Sequence, residues 1–263
     1  KIMSFTVSNN SAAATSNYYL GKNQELLQKS IKKLASGKKL IAPNDDPGSL
    51  SVAMKLNASI SRLSGARNNV QNATSFLEVQ DGVLEGVGRI VTRMSELKGL
   101  GSQDPMKSSQ DIESYNLEFR DLQRQLYDMS QMTFNGVSLF ANYSNTGTES
   151  VFRNDSTNHT VSIHTSTQGS AGSKISLHKA ALLGALTMTN DADFTAEEFG
   201  STKHTGTGKA SANDIISFAA EESTDVWDLD AVSMGFFQKA LENISFLRAQ
   251  VGGQMSRLSF AAD

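Results

Sequence analysis

The sequence predicts a mainly α fold: an elongated bundle of long antiparallel helices from both chain ends, with a small β-hairpin or irregular region inserted between them. Three observations predict it. A heptad-spaced apolar stripe runs without a proline from Val52 to Leu97. A second such stripe occupies the C-terminus, from Phe237 to Leu258. Between the helical parts, residues 142–214 lose the period, and 35 of those 73 residues are Ser, Thr, Asn or Gly. Apolar residues every seven positions form a seam for helix-on-helix packing. Two seams far apart in the chain therefore require that the ends meet.

The first helix is short, with Leu20, Leu27 and Leu34 seven apart and Gly37 as its C-terminal cap. Residues 38–48 form a loop holding Pro43-Asn44-Asp45-Asp46-Pro47. Asn44 or Asp45 caps the helix that follows, and Pro47 fits its first turn. That helix runs from about Asp45 to about Leu100. Its core seam is Leu56, Leu63, Val70, Leu77, Leu84 and Val91, with Val52, Ala66, Ala73, Val87 and Met94 alongside. At ~1.5 Å per residue it would reach roughly 80 Å, so a rod-like molecule is expected. Another helix follows the breaker Gly101-Ser102-Gln103-Asp104-Pro105. Ile112, Tyr115, Phe119, Leu122, Leu126 and Met129 make its 3-4-3-4 stripe, and it stops near Thr133-Phe134-Asn135-Gly136. In the polar region, Thr160–His164 and Lys174–His178 alternate in hydropathy and read as a β-hairpin. Ala180 to Met188 reads as a helical turn. The last helix has Phe237, Ile244, Val251 and Leu258 seven apart, with Ala240 and Leu247 in a second column. Gly252 and Gly253 within it mark a close helix contact or a weak point. Three parts result: residues 1–141, the insert 142–222, and residues 223–263.

Composition narrows the function classes. The 263 residues carry a net charge of −3 and only 19% charged side chains, which excludes a nucleic-acid-binding face as a global feature. There is no cysteine, so disulfides, thiolate metal sites and cysteine nucleophiles are excluded together. Ser, Thr and Asn make up 71 residues, which suits an exported or surface-exposed protein. No stretch reaches the ~18 apolar residues of a membrane span. Lys1–Asn17 has no apolar stretch of signal-peptide length, so export would use another route. Met3 is a candidate natural start.

The order and spacing of several motifs resemble bacterial flagellin. Ser30-Ile31-Lys32-Lys33-Leu34-Ala35-Ser36-Gly37-Lys38-Lys39-Leu40 is similar to a family signature, and Asn44-Asp45-Asp46-Pro47-Gly48 to its loop into the long helix. Arg67-Asn68-Asn69, Arg93-Met94-Ser95-Glu96-Leu97 and Thr133-Phe134-Asn135-Gly136 fit as well. Leu247-Arg248-Ala249-Gln250-Val251-Gly252 and Met255-Ser256-Arg257-Leu258 resemble the start of the family's C-terminal part. The likeness covers roughly residues 20–140 and 226–263. Asp-Asp-Pro also occurs in the related hook–filament junction protein, whereas Phe134-Asn135-Gly136 favours flagellin. Ala12, Ala13 and Ala14 depart from the larger apolar residues of the family. The family's C-terminal core helix has no counterpart after Asp263, so the chain as given is expected not to polymerise.

The resemblance implies a secreted structural subunit that assembles head to tail into the extracellular flagellar filament for motility. It implies other flagellin subunits, the flagellar export apparatus and a chaperone as partners. Arg93, Glu96, Leu97 and Glu118 match positions of a subunit-stacking surface, which an innate immune receptor recognises in flagellins with the right residues. Ser95 replaces a commonly basic neighbour there. The alternative reading is a cell-surface adhesin or glycan-binding homologue, contacting a surface polysaccharide through the insert with Tyr143 or Phe152. No membrane insertion, nucleic acid, cofactor or enzymatic activity is expected.

No side-chain constellation suggests catalysis. His159, His164, His178 and His204 lie in the polar region without metal-ligand spacing, so exposed polar residues are the better reading. Asp191-Ala192-Asp193 and Asp225 to Asp230 lack the glycine turn and downstream Glu of an EF-hand loop. Gly206-Thr207-Gly208-Lys209 lacks the spacing of a phosphate loop. Asp81, Glu85 and Glu96 read as acids on the solvated side of one helix.

Overall fold

The computed structural model describes residues 11–102, 108–141, 160–166, 168, 171–189, 214–223 and 225–262. Helix α1 spans Ser11–Ser36, α2 Pro47–Gly101 and α3 Ser109–Ser130. Strands β1 (Thr133–Phe134) and β2 (Val137–Ser138) follow, then β3 (Thr160–His164) and β4 (Lys174–His178). A single turn of helix, α4 (Leu182–Ala185), precedes β5 (Thr187–Thr189), which pairs with β6 (Ile215–Ser217). A 3-10 turn at Leu229–Ala231 leads into α5, Met234–Ala262. The fold is mainly helical, with three separate antiparallel strand pairs. By their contacts, the residues group into two units, Lys1–Ser61 and Arg62–Asp263.

In the first unit, α1 has no buried residue. Gly37 ends it in the left-handed region at φ 62°, where a side chain would be strained. Asp45 in the following loop receives Lys29 and Lys33 of α1, and Lys29 holds its carboxyl below the usual range. The cap of α2 is Asp46 rather than Asn44 or Asp45: its Oδ1 accepts the Ser49 N–H at 3.0 Å. With Pro47 as the first helical residue, Asp46 is the position from which a carboxylate reaches the third N–H of the helix.

The second unit is built on three helices. Ser95 of α2 meets Met234 of α5, and two heptads along, Asp81 meets Arg248. α2 and α5 are therefore antiparallel and in constant register. Helix α3 is also antiparallel to α2, since Arg93 faces Glu118 while Gly86 faces Met129. A Cβ on Gly86 would lie 2.9 Å from the Met129 methyl, so any larger residue there would make the end of the Met129 side chain shift. Phe119 of α3 and Phe237 of α5 meet edge to face, joining the third pair of helices. Ser108 and Asp111 close a reciprocal capping box at the start of α3. Asn135 (φ 50°) and Gly136 (φ 78°) make the β1–β2 turn, both left-handed, as a two-residue hairpin turn requires.

The seam of α2 divides at a definite level. Val70, Leu77, Leu84 and Val91 are buried, as are Phe237, Ile244, Val251 and Leu258 of α5. Leu56 and Leu63, expected in the same core seam, are 58% and 57% exposed. Among the described residues, none of α2 N-terminal to Ala66 is buried. Leu20, Leu27 and Leu34 are likewise exposed rather than in a bundle core.

The insert pairs β3 with β4 in the expected register region, Thr160 opposite His178 and His164 opposite Lys174. It is not packed apart from the helices. Leu177, Leu182, Leu186, Met188, Ile216 and Phe218 share one apolar core with α2, α3 and α5. Gly252 and Gly253 are exposed with open space at their Cβ positions, so they serve no close contact. Each lowers helix stability by about 1 kcal/mol relative to alanine.

Leu77→Ala is expected to destabilise the protein by about 2–5 kcal/mol through lost burial and a cavity. Leu63→Ala should stay within about 0.5 kcal/mol of the wild type, as exposed positions do. Urea denaturation of both variants measures the difference.

Candidate functional site

The expected contact surface lies where α2 and α3 run side by side. Arg93 donates from Nε to Glu118 Oε1 at 2.8 Å and from Nη2 to Glu118 Oε2 at 3.2 Å. Its Nη1 reaches Glu96 Oε2 at 3.2 Å. The fork is bidentate, the geometry in which guanidinium binds carboxylate best. Glu118 first, then Glu96, holds the Arg93 guanidinium further toward its charged form. Arg93 and Glu96 are exposed and Glu118 is half-buried, so the three form a charged surface with one cation between two anions.

Leu97 does not belong to that surface; it is fully buried. Val83, Ile90 and Leu97 are seven apart and form a third apolar column on α2. Packing on one helix would leave such a column at the rim. Here α3 and the 3-10 turn approach from the other side, as the Lys98 ammonium donating to the Leu229 carbonyl shows. The buried arc therefore widens to include Leu97. Ser95, beside it, donates to Met234 Sδ at 3.4 Å.

Four carboxamides sit inside the apolar stripes, and the sequence reading did not single them out. Gln80 donates to the Leu139 carbonyl at 2.6 Å. Gln123 makes two bonds to Trp227, accepting from its N–H at 2.9 Å and donating to its carbonyl at 3.0 Å. Gln254 does the same to His178, at 2.9 and 3.1 Å. Asn243 donates to the Ala185 carbonyl at 3.1 Å. Each amide satisfies backbone groups outside the long helices that would otherwise be buried unpaired. On α3 the pattern is a ladder: Asn116, Arg120 and Gln123 hold Leu229, Asp228 and Trp227 in turn. A signal was present. Gln80 stands three residues after Leu77 and four before Leu84, a seam position filled by a polar side chain.

Acids set apart in the sequence find cationic partners. Arg248 of α5 donates to both Asp81 oxygens, at 2.8 and 3.0 Å, and lies 3.6 Å from Glu85. The Arg248 guanidinium holds the Asp81 carboxyl below its ordinary value of 3.8. Asp228 faces Arg120. The hairpin puts His164 and His178 at opposite ends of the β3–β4 pair. His159, His204, Asp191, Asp193, Gly206–Lys209, Tyr143 and Phe152 lie outside the described residues. Among the described residues, no group of three His, Asp or Glu is arranged for a metal ion. A cavity of about 330 Å³ opens beside α2, between Asn69, Asn72, Phe76, Phe134, Val161 and His164. Its lining has no charged side chain, and His164 is its one titratable residue.

Three kinds of likeness bear on this architecture. A family model described as the bacterial flagellin N-terminal helical region matches residues 7–145. The flagellar filament 30.7 kDa core protein of Treponema maltophilum is 29% identical over 134 residues, 51% of this chain and 47% of that protein. Flagellin of Listeria innocua is 28% identical over 243 residues, 92% of this chain and 74% of that protein. The chain thus spans about half the length of the Treponema relative and three quarters of the Listeria one. Among solved structures, Bacillus cereus flagellin aligns over 74% of this chain and 87% of its own, at 16% identity and a TM-score of 0.48.

A carboxyl whose folded pKa lies below its unfolded value stabilises the fold above the unfolded value, and the contribution fades as pH falls through the folded one. The Asp81–Arg248 pair is thus at full strength above about pH 3.8 and fades below it. Asp81→Asn should lower the urea midpoint at neutral pH, and the gap to wild type should narrow as the pH falls below 3.8.

Proposed function

The chain belongs to the bacterial flagellin family, and from that premise we propose that it serves as a structural subunit of the flagellar filament. The observation that supports this most is the uncovered heptad surface. Leu20, Leu27 and Leu34 on α1, and Leu56 and Leu63 on α2, repeat at seam spacing yet lie exposed, Leu34 at 82%. Scattered exposed leucines are ordinary, but a stripe in heptad register is built to be buried by another helix. In a filament, the same stripes of neighbouring copies would supply that helix. Contacts between different patches of successive copies do not close into a ring and so grow as a helix.

Further partners follow from the same premise. The charged trio Arg93, Glu96 and Glu118 would take part in stacking between successive copies, and is the surface an innate immune receptor would meet. Leu97 would support it from within the core. The flagellar export apparatus and a chaperone would carry the chain out, and the filament would stand outside the cell. A structural role accounts for the abundance of assembly surface and assigns no chemistry to the histidines.

Electron microscopy of cells expressing the chain with a family-length C-terminus, in place of their own filament subunit, tests the proposal. Wild type should give filaments; Leu27→Ser with Leu34→Ser should give none, while the thermal midpoint of the second unit stays unchanged. Arg93→Ala should shift monomer stability by no more than about 1 kcal/mol, as exposed ion pairs do, yet reduce filament number. Normal filaments from both variants would overturn the assignment of these surfaces to assembly.

A further inference from the structure

We propose that, before assembly, the first unit binds the surface of an anionic lipid bilayer, with α1 lying in the interface. The charge of the chain is divided unevenly. Residues 1–61 carry eight Lys against Glu25, Asp45 and Asp46, a net of +5, whereas the remaining residues carry 16 basic and 24 acidic side chains, a net of −8. A net charge of −3 for the whole conceals this division.

Helix α1 sorts the same residues by face. At about 100° per residue, Tyr19, Leu20, Leu26, Leu27, Ile31 and Leu34 fall within an arc of roughly 140°. Lys22, Lys29, Lys32 and Lys33 fall within roughly 100° adjoining that arc, a sector that also holds Tyr18 and Glu25. All of these apolar side chains are exposed, and none of the helix is buried. Asp45 draws on Lys29 and Lys33, yet the unit stays strongly positive. An apolar arc beside a lysine-rich face describes a helix that lies in a membrane interface, its apolar side at the acyl boundary. No described helix is long and apolar enough to cross a membrane, so the binding is peripheral.

A bilayer fits this face better than a second copy of the isolated chain does. The acidic second unit could attract the lysines, but its exposed large apolar residues divide among α2 (Leu63, Val79), α3 (Leu117), Met132, β2 (Val137) and α5 (Met234, Phe246, Phe260). Phe246 and Phe260, two heptads apart on α5, share a face, but a pair of side chains does not match the six-residue arc of α1. An anionic bilayer offers both negative head groups and an apolar layer. The acidic second unit would be repelled by the same head groups, leaving the chain tethered through residues 1–61. This inference concerns the unassembled chain and does not depend on the filament reading.

The test is co-sedimentation of the full chain with phosphatidylcholine vesicles, with and without phosphatidylglycerol. Light scattering without vesicles, at the same protein concentration, reports self-association. Binding should require phosphatidylglycerol and fall steeply between about 0.01 M and about 0.5 M salt. Each lysine near an anionic surface contributes about fivefold in affinity, so Lys22→Gln with Lys32→Gln should weaken binding roughly twenty-five-fold. Leu27→Ser with Ile31→Ser should abolish it without moving the thermal midpoint of the second unit, because neither residue is buried. Equal binding to neutral vesicles, no binding to anionic ones, unchanged binding by the leucine–isoleucine variant, or pelleting that tracks self-association would each overturn the proposal.

Discussion

Leu77, Leu84 and Val91 are fully buried because α5 runs antiparallel to α2 across a long gap in sequence, in a register fixed by Arg248 on Asp81 and Met234 on Ser95. The remaining features of the second unit depend on that pairing. A heptad seam stabilises a helix only where a partner covers it, since packing rather than propensity supplies most helical stability in proteins. The seam on α2 continues N-terminal to Ala66, and there its leucines face solvent. One helix thus serves two purposes. Its C-terminal part makes a core within the chain, and its N-terminal part presents a surface.

The non-helical segments are fixed by another device. Backbone that leaves a helix and enters a core must find hydrogen bonds, and short strand pairs supply only some of them. Gln80, Gln123, Asn243 and Gln254 supply others from within the helices. A carboxamide donates and accepts at once, so Gln123 and Gln254 each satisfy both backbone groups of one residue, Trp227 and His178. An apolar residue at any of the four would leave a buried polar backbone group unpaired, which costs more than a lost contact. Polar residues at these stripe positions thus belong to the same design as the leucines around them.

Much of this was legible from the residues. Helix order, the β3–β4 hairpin, the turn at Asn135-Gly136 and the return of the C-terminal helix follow from period and turn chemistry. Three things were not. Periodicity states that Leu56 and Leu63 want a partner, but whether one covers them in the monomer depends on tertiary contacts that spacing does not set. Leu97 looked like a neighbour of Arg93 on the surface because a single seam was assumed; a second neighbouring helix widens the buried arc. The β5–β6 pair joins residues on either side of 190–213, and three-residue strands leave too little alternation to detect. The charged trio was half legible: Arg93, Glu96 and Glu118 do come together, in a bidentate contact that spacing alone could not specify.

The division of α2 is the central claim, and amide hydrogen exchange along that one helix tests it most directly. Exchange reports local opening, and protection rises with the packing that opening must break. Amides from Val70 to Leu97 should exchange only through global unfolding. Those from Leu50 to Leu63 should exchange orders of magnitude faster, with the step near Ala66. Uniform strong protection from Leu50 to Leu97 would contradict the account, because it would mean that the N-terminal part of the seam is covered in the monomer.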